Sequence, residues 1–332
     1  MSPYKHLTLK ERETILLGIN SGWTQELIAK KIGRSKSTIS REISRNGGWD
    51  NYSVANAHTR YQKIRQSCRR HRILDRAEVR ERVVTYITQL HWSPEQIAGR
   101  LRRENSSIQI SYPTIYRGIY RDNLGVPLKN HGARGLPRQL RHRGKTRKVK
   151  GTIHKRRGRF NDVPSIHERP ISAEKRSRFG HWEGDTVRGK IGHSALVTLV
   201  DRRSRFLLSK RVMKVNADNV KAVMVGLLST QPGNRVRTLT PDRGTEFARY
   251  KELARDLNTK VFFPDPHAPQ QRGTNENTNG LIREYFPKNT DLDLQTDEDI
   301  QAFVEQLNNR PRKTLGWKTP SEVFLGKKLH LS

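Results

Sequence analysis

Three acidic side chains in the carboxyl-terminal half of the chain stand where carboxylates could work together. Asp185 lies in His181-Trp182-Glu183-Gly184-Asp185-Thr186-Val187, which reads as a strand. Asp242 follows a second strand-like run, Arg235–Thr240, in Pro241-Asp242-Arg243-Gly244-Thr245-Glu246-Phe247. Glu276, with 33 residues between it and Asp242, opens a helical pattern over Asn275–Tyr285. Aspartates at the ends of adjacent central strands can meet, and a glutamate on a packed helix can complete the cluster. Three carboxylates that close repel strongly unless cations bind. Such oxygen donors suit Mg²⁺ or Mn²⁺, and paired ions can clamp the attacking and leaving oxygens of a phosphoryl transfer. Taken singly, each acid has a plainer reading: Asp242 as a turn residue before Gly244, Glu276 as a first-turn acid favoured by the helix dipole. Glu183, two residues before Asp185, shares its strand face and either supports the cluster or is structural. Trp182 belongs to the opposite face and reads as core, Asp201 as a turn cap, Glu246 as structural.

The elements that must position these acids form an α/β layout. His181–Val187, Ser194–Asp201 and Arg205–Val212 read as a three-strand meander. Helical Asn219–Leu228, the strand Arg235–Thr240, helical Thr245–Leu257 and a short strand at Lys260–Pro264 follow, then helices at Asn275–Tyr285 and Asp297–Asn308. This alternation predicts a mixed sheet with both faces covered.

The amino-terminal half is helical. Thr8 and Glu11 make a capping box ahead of Ile15, Leu16 and Ile19, and Gly22 ends that helix. Thr24 caps a second helix that ends at Gly33, and Ser35 caps a third through Ile39 and Ile43. Two short helices joined by a glycine turn, the second opening with basic and hydroxyl residues, form a helix-turn-helix pattern. Arg34, Ser35, Lys36, Ser37, Thr38, Ser40 and Arg41 are its candidate DNA contacts. A second module repeats the rhythm over Asp75–Leu90, Ser93–Leu101 and Ser111–Ile119. The expected division is therefore 1–50 as one DNA-binding domain and 51–128 as a second helical module. A basic linker over 129–172 and a catalytic core over 173–332 complete it.

Charge supports a polyanionic partner. The 332 residues carry 65 Lys and Arg against 32 Asp and Glu, net +33. Residues 1–160 hold 36 basic and 11 acidic side chains, net +25, whereas 161–332 hold 29 and 21, net +8. So large an excess repels itself in a compact chain and points to nucleic acid. The basic extreme is 129–159, with 13 Lys or Arg and no acid, which reads as an extended linker whose Lys145, Arg147 and Lys148 could lie along phosphates. Cys68 is the one cysteine, which excludes an intramolecular disulfide and any multi-cysteine zinc site. The start lacks the apolar run of a signal peptide, no apolar stretch is long enough for a bilayer, and no long basic amphipathic helix suggests a membrane surface. A soluble protein of a reducing, nucleic-acid-containing compartment is expected.

Together His181-Trp182-Glu183-Gly184-Asp185, Pro241-Asp242-Arg243-Gly244-Thr245-Glu246-Phe247 and Pro269-Gln270-Gln271-Arg272-Gly273-Thr274-Asn275-Glu276-Asn277-Thr278-Asn279-Gly280 resemble the IS30 family of bacterial DDE transposases over nearly the whole chain. The catalytic part is similar to the wider retroviral-integrase superfamily, whose fold is RNase H-like. The resemblance implies that Asp185, Asp242 and Glu276 form the metal-binding catalytic triad, with two Mg²⁺ and Mn²⁺ able to substitute. Gly273, Asn279 and Arg283 keep the spacing of that superfamily's final motif around the glutamate. Arg283 is a candidate phosphate contact, and Asn279 could orient Glu276. Arg243 departs from the asparagine often found after the second aspartate. Implied partners are duplex DNA, both the element's terminal inverted repeats and target DNA, and further copies of the chain, at least a dimer. A bacterial cytoplasmic, nucleoid-associated location follows. Two rival functions differ in kind: a DNA-binding regulator with an inert core, and a metal-dependent nuclease that cuts without joining.

If the basic run lies along DNA, replacing Lys145, Arg147, Lys148 and Lys150 with Ala flattens the salt dependence of affinity. Each phosphate that is no longer neutralised lowers the slope of log K against log salt by about 0.9. A salt titration of duplex binding reads this directly, and an unchanged slope makes the run a solvated tether.

Overall fold

The structure, a computed structural model, describes residues 5–68, 72–128, 135–140, 163–190, 192–266 and 268–327. Lys145, Arg147 and Lys148 lie outside the described residues, as does most of the expected linker. The chain divides into two compact units, Met1–Arg72 and Ile73–Ser332.

The first unit holds α1 (Leu9–Asn20), α2 (Gln25–Ile32), α3 (Lys36–Arg45) and α4 (Val54–Ser67). Thr8 and Glu11 close the capping box on α1, Thr24 caps α2, and Ser35 caps α3. Gly33 ends α2 at φ +71, a left-handed conformation that glycine adopts without strain. Ile15, Ile28, Ile39 and Ile43 form the buried centre. The sequence pattern does not predict α4 because Ala57 is its one buried residue, so it lacks an apolar stripe.

The second unit opens with α5 (Ala77–Thr88), α6 (Pro94–Arg103) and α7 (Tyr112–Asp122), packed around Val79, Val83, Ile97, Leu101 and Ile115. This helical cluster is fastened to the end of the chain. Arg100, 2% exposed, donates two bonds to Glu322, at 2.5 and 2.8 Å. Gly99 lies against the Trp317 ring, where a Cβ would fall 2.2 Å from Cδ2. Residues 163–172, expected as linker, also pack on this unit. Phe263 donates to the Pro164 carbonyl, the Ile166 amide donates to Phe263, and the single turn α8 (Ile171–Glu174) follows.

The sheet consists of β1 (His181–Arg188), β2 (Ala195–Asp201), β3 (Leu207–Val212), β4 (Thr238–Thr240) and β5 (Lys260–Val261), in the order β3-β2-β1-β4-β5. The first three form the antiparallel meander, and β4 and β5 run parallel to β1. β2 is buried along its length, as a strand covered on both faces must be. α9 (Ala217–Ser229) and α10 (Tyr250–Asp256) cover one face with Val220, Met224, Leu228 and Leu253. α11 (Gly273–Tyr285) and α12 (Asp297–Asn308) cover the other with Leu281, Ile282, Ile300 and Phe303. The short α13 (Pro320–Leu325), capped by Thr319, closes the described chain. This is the mixed α/β sheet expected from the sequence.

Several elements are shorter than expected: β3 begins at Leu207, not Arg205, and β5 ends at Val261, not Pro264. β4 begins at Thr238, not Arg235, because residues 233–235 form a tight turn in which the Arg235 carbonyl accepts the Trp182 indole N–H. The helix expected over Thr245–Leu257 is split into a single turn at Thr245–Phe247 and α10.

Candidate active site

The pairing of β1 with β4 decides the geometry. Glu183 stands opposite Thr240 in this parallel pair. Two residues further along each chain come Asp185 and Asp242, so the alternation of strand side chains brings them out side by side on the same face. That face is the one α11 covers. Val187 packs there with Leu281 and Ile282, whereas Trp182 and Gly184 face α9.

Both carboxylates are largely covered, at 19% and 17% side-chain exposure. Asp185 Oδ1 accepts from the Thr186 amide at 2.8 Å. Its Oδ2 accepts from Arg272 Nη2 at 2.7 Å and Asn279 Nδ2 at 3.0 Å. Asp242 Oδ1 accepts from the Gly244 amide at 2.8 Å, and its Oδ2 lies 3.8 Å from Arg272 Nη1. A Cβ on Gly244 would fall 2.8 Å from Asp242 Oδ1, so the turn passes the carboxylate as closely as glycine permits. Burial pushes the Asp242 carboxyl above the usual range, and the neighbouring Asp185 charge pushes it further. Arg272 and the Gly244 amide oppose the rise. Glu246 adds negative charge there and accepts from Thr186 Oγ1 at 2.8 Å.

Glu276 is exposed. It lies four residues after Arg272 and three before Asn279, on the α11 face that meets Asp185. Among the described residues, however, its carboxylate and those of Asp185 and Asp242 do not all lie within 4.8 Å of one another. The Arg272 guanidinium lies beside the two aspartates. The donor chemistry still fits a divalent cation. Two part-buried carboxylates stand side by side, a third is carried on the α11 face that meets them, and Asn279 Oδ1 is buried without a partner next to Asp185.

Glu183 settles beneath this surface. Fully buried, it accepts from Arg202 Nη1 with one oxygen and from the Asn275 amide at 2.8 Å with the other. It therefore fastens the first turn of α11 to β1. Arg202 also donates to the Ala173 carbonyl at 2.9 Å. Arg205 Nη1 adds a second anchor by donating to Thr274 Oγ1 at 2.5 Å.

Other expected contacts are spent differently. Asn279 bonds to Asp185 and not to Glu276. Arg283 Nη2 donates to the Arg188 carbonyl at 2.8 Å, so this guanidinium ties α11 to the end of β1. Gly273 is exposed and a Cβ there meets nothing within 4 Å; nothing in the structure explains the glycine. Arg243 reaches the Pro264 carbonyl at 3.0 Å. In the first unit Arg34 binds Glu11 at 2.8 Å and the Lys5 carbonyl at 2.9 Å, which makes it a strut of the fold. Ser35 is occupied as the cap of α3, near Ser37 and Thr38, and Arg41 folds back onto the Ser37 carbonyl and hydroxyl. Lys36, Ser37 and Arg41 are exposed, with Thr38 and Ser40 partly so. Sequence pattern alone assigns no role to Arg272 or Arg202. The one available signal for Arg272 is its position one helical turn before Glu276.

Residues 3–46 match a helix-turn-helix domain model, and residues 175–269 match an integrase core domain model. The chain is 40% identical over 328 residues to the transposase of insertion sequence element IS30A of Escherichia coli (strain K12), covering 96% of this chain and 83% of that protein. It is 35% identical over 343 residues to the transposase of IS1086 of Cupriavidus metallidurans, covering 97% and 94%. Over 322 residues it is 36% identical to the transposase of IS4351 of Bacteroides fragilis, covering 96% and 95%.

The buried pair yields a stability prediction. Glu183→Ala removes the nearer of the two carboxylates beside buried Arg202 and one of the two anchors of α11, and lowers stability by about 3–5 kcal/mol. Urea unfolding of the purified chain measures it, and a loss below about 1 kcal/mol would remove Glu183 from this role.

Proposed function

The chain belongs to the IS30 family of transposases, and on that premise we propose that Asp185, Asp242 and Glu276 are the residues with which it cleaves and transfers DNA strands. The observation that carries this reading is the β1–β4 register, which sets Asp185 and Asp242 side by side under the helix that bears Glu276. These three would hold divalent ions, two Mg²⁺ with Mn²⁺ able to substitute, which when bound neutralise the phosphate and activate the attacking and leaving oxygens. In the first step the oxygen of water bonds to phosphorus, the bond to the 3′ oxygen breaks, and a free 3′-OH remains. In the second that 3′-OH attacks a phosphodiester of target DNA, and the displaced 3′ oxygen takes the proton. The protein supplies no nucleophile; its work is positioning and charge stabilisation.

The chain's own residues provide the positioning. Glu183 and Arg205 fix the first turn of α11, so that Glu276 is presented from a rigid element. The helix-turn-helix domain binds DNA, and α3 would enter the major groove with Lys36 and Ser37 foremost, reading the terminal inverted repeats. We assign residues 1–50 to this reading and 51–128 to a second DNA-binding module. The basic 129–172 segment would connect them to the core over 173–332. Of that division, α4 lies in the first compact unit and α5–α7 in the second. Joining two element ends to a target requires at least two copies of the chain. Among the described residues no helix is long and apolar enough to cross a membrane; a nucleoid-associated bacterial location is part of the same proposal.

Asp185→Asn, Asp242→Asn and Glu276→Gln should each lower strand cleavage of terminal-repeat DNA at least about a hundredfold while leaving DNA binding in place. Cleavage kinetics in Mg²⁺, paired with a binding titration of the same preparations, separates the two. Near wild-type cleavage by any one variant removes that residue from the triad.

A further inference from the structure

Arg272 stands at the start of α11, with its side chain turned onto both aspartates and only 11% exposed. Its Nη2 bonds Asp185 at 2.7 Å and the Gly184 carbonyl at 3.2 Å, and its Nη1 lies 3.8 Å from Asp242. Its Nε is buried with no partner. Arg310, whose setting is purely structural, differs: its Nη1 is taken by Glu284 and its Nε by Gln96, so both sides of the fork are matched. Arg272 is therefore held chiefly by the negative charge of the aspartate pair, with one main-chain carbonyl as its other contact.

We propose that Arg272 is the resident counter-ion of the Asp185–Asp242 pair and competes directly with divalent metal for that place. The proposal rests on the reading that these aspartates hold the ions. A guanidinium within 4 Å of both carboxylates supplies positive charge where a divalent ion would supply it, and the two cations repel each other at that distance. Metal entry and withdrawal of the arginine are then one event. Arg272 precedes the helical residues of α11, at φ −119 and ψ 34, so its side chain can leave without unwinding the helix that carries Glu276. The arginine sets how much free metal the site needs and keeps the metal-free state from leaving two part-buried carboxylates uncompensated.

The test is Mn²⁺ titration of the full chain without DNA, with free Mn²⁺ read by electron paramagnetic resonance. Wild type is compared with Arg272→Ala, Arg272→Lys, and Arg272→Ala combined with Asp185→Asn. Arg272→Ala should bind Mn²⁺ about tenfold more tightly, within the range usual for coupled sites. Arg272→Lys, which keeps the charge but not the fork, should fall between that variant and wild type, and added Asp185→Asn should abolish the gain. In thermal unfolding, Arg272→Ala should melt below wild type without divalent ions, and saturating Mn²⁺ should close the gap. Equal or weaker Mn²⁺ binding by Arg272→Ala and Arg272→Lys overturns the competition while leaving the metal reading intact. Absence of Mn²⁺ binding by wild type and every variant overturns the metal reading and the proposal together.

Discussion

Two carboxylates held on neighbouring strands repel each other, and the way this structure contains that repulsion determines most of what surrounds them. Asp185 and Asp242 cannot drift apart, because each is two residues past the paired positions Glu183 and Thr240. Their charge is met by the Gly244 amide, the Thr186 amide, Asn279 and Arg272. The compensation is partial. Burial and the neighbouring charge still leave Asp242 harder to ionise than an ordinary aspartate. A site of this kind is built to gain from a cation, which is what phosphoryl transfer between DNA strands requires.

The second constraint is the buried pair below. Glu183 is fully enclosed, and a carboxylate there is tolerable only with strong partners. Arg202 neutralises it, and the Asn275 amide takes its remaining oxygen. One acid thereby links β1, the β2–β3 turn and the start of α11. The costly buried charge yields a fixed distance between the strand that carries Asp185 and the helix that carries Glu276. Residues near α13 serve a related purpose: Glu322 and Trp317 fasten the α5–α7 cluster within the unit it shares with the sheet.

Much of this is legible in the residues. The capping signals at Thr8, Thr24 and Ser35 place three helix starts, and the apolar runs place β1 to β3. Glu183 is visible as a companion of Asp185 because strand alternation puts them on one face. What stays hidden has specific causes. α4 carries almost no apolar face, and β4 is cut short by the Trp182 bond to the Arg235 carbonyl, a contact across 53 positions of sequence. The arginines are the hardest to assign. Arg34, Arg202, Arg272 and Arg283 look alike in a chain this basic, and only their partners separate a strut, a buried counter-charge, a metal competitor and a tie to the strand end.

The central claim is that the Asp185–Asp242 pair is the metal centre of a strand-transfer enzyme. Its most direct test is a crystal structure of the chain soaked with Mn²⁺, with the ions located by anomalous scattering. The expected density lies between Asp185 and Asp242, extends toward Glu276, and is accompanied by an Arg272 side chain withdrawn from Asp185. Mn²⁺ bound instead among His193, Asp291 and Asp293, the one cluster of three such ligands among the described residues, with Arg272 still bonded to Asp185, would contradict it.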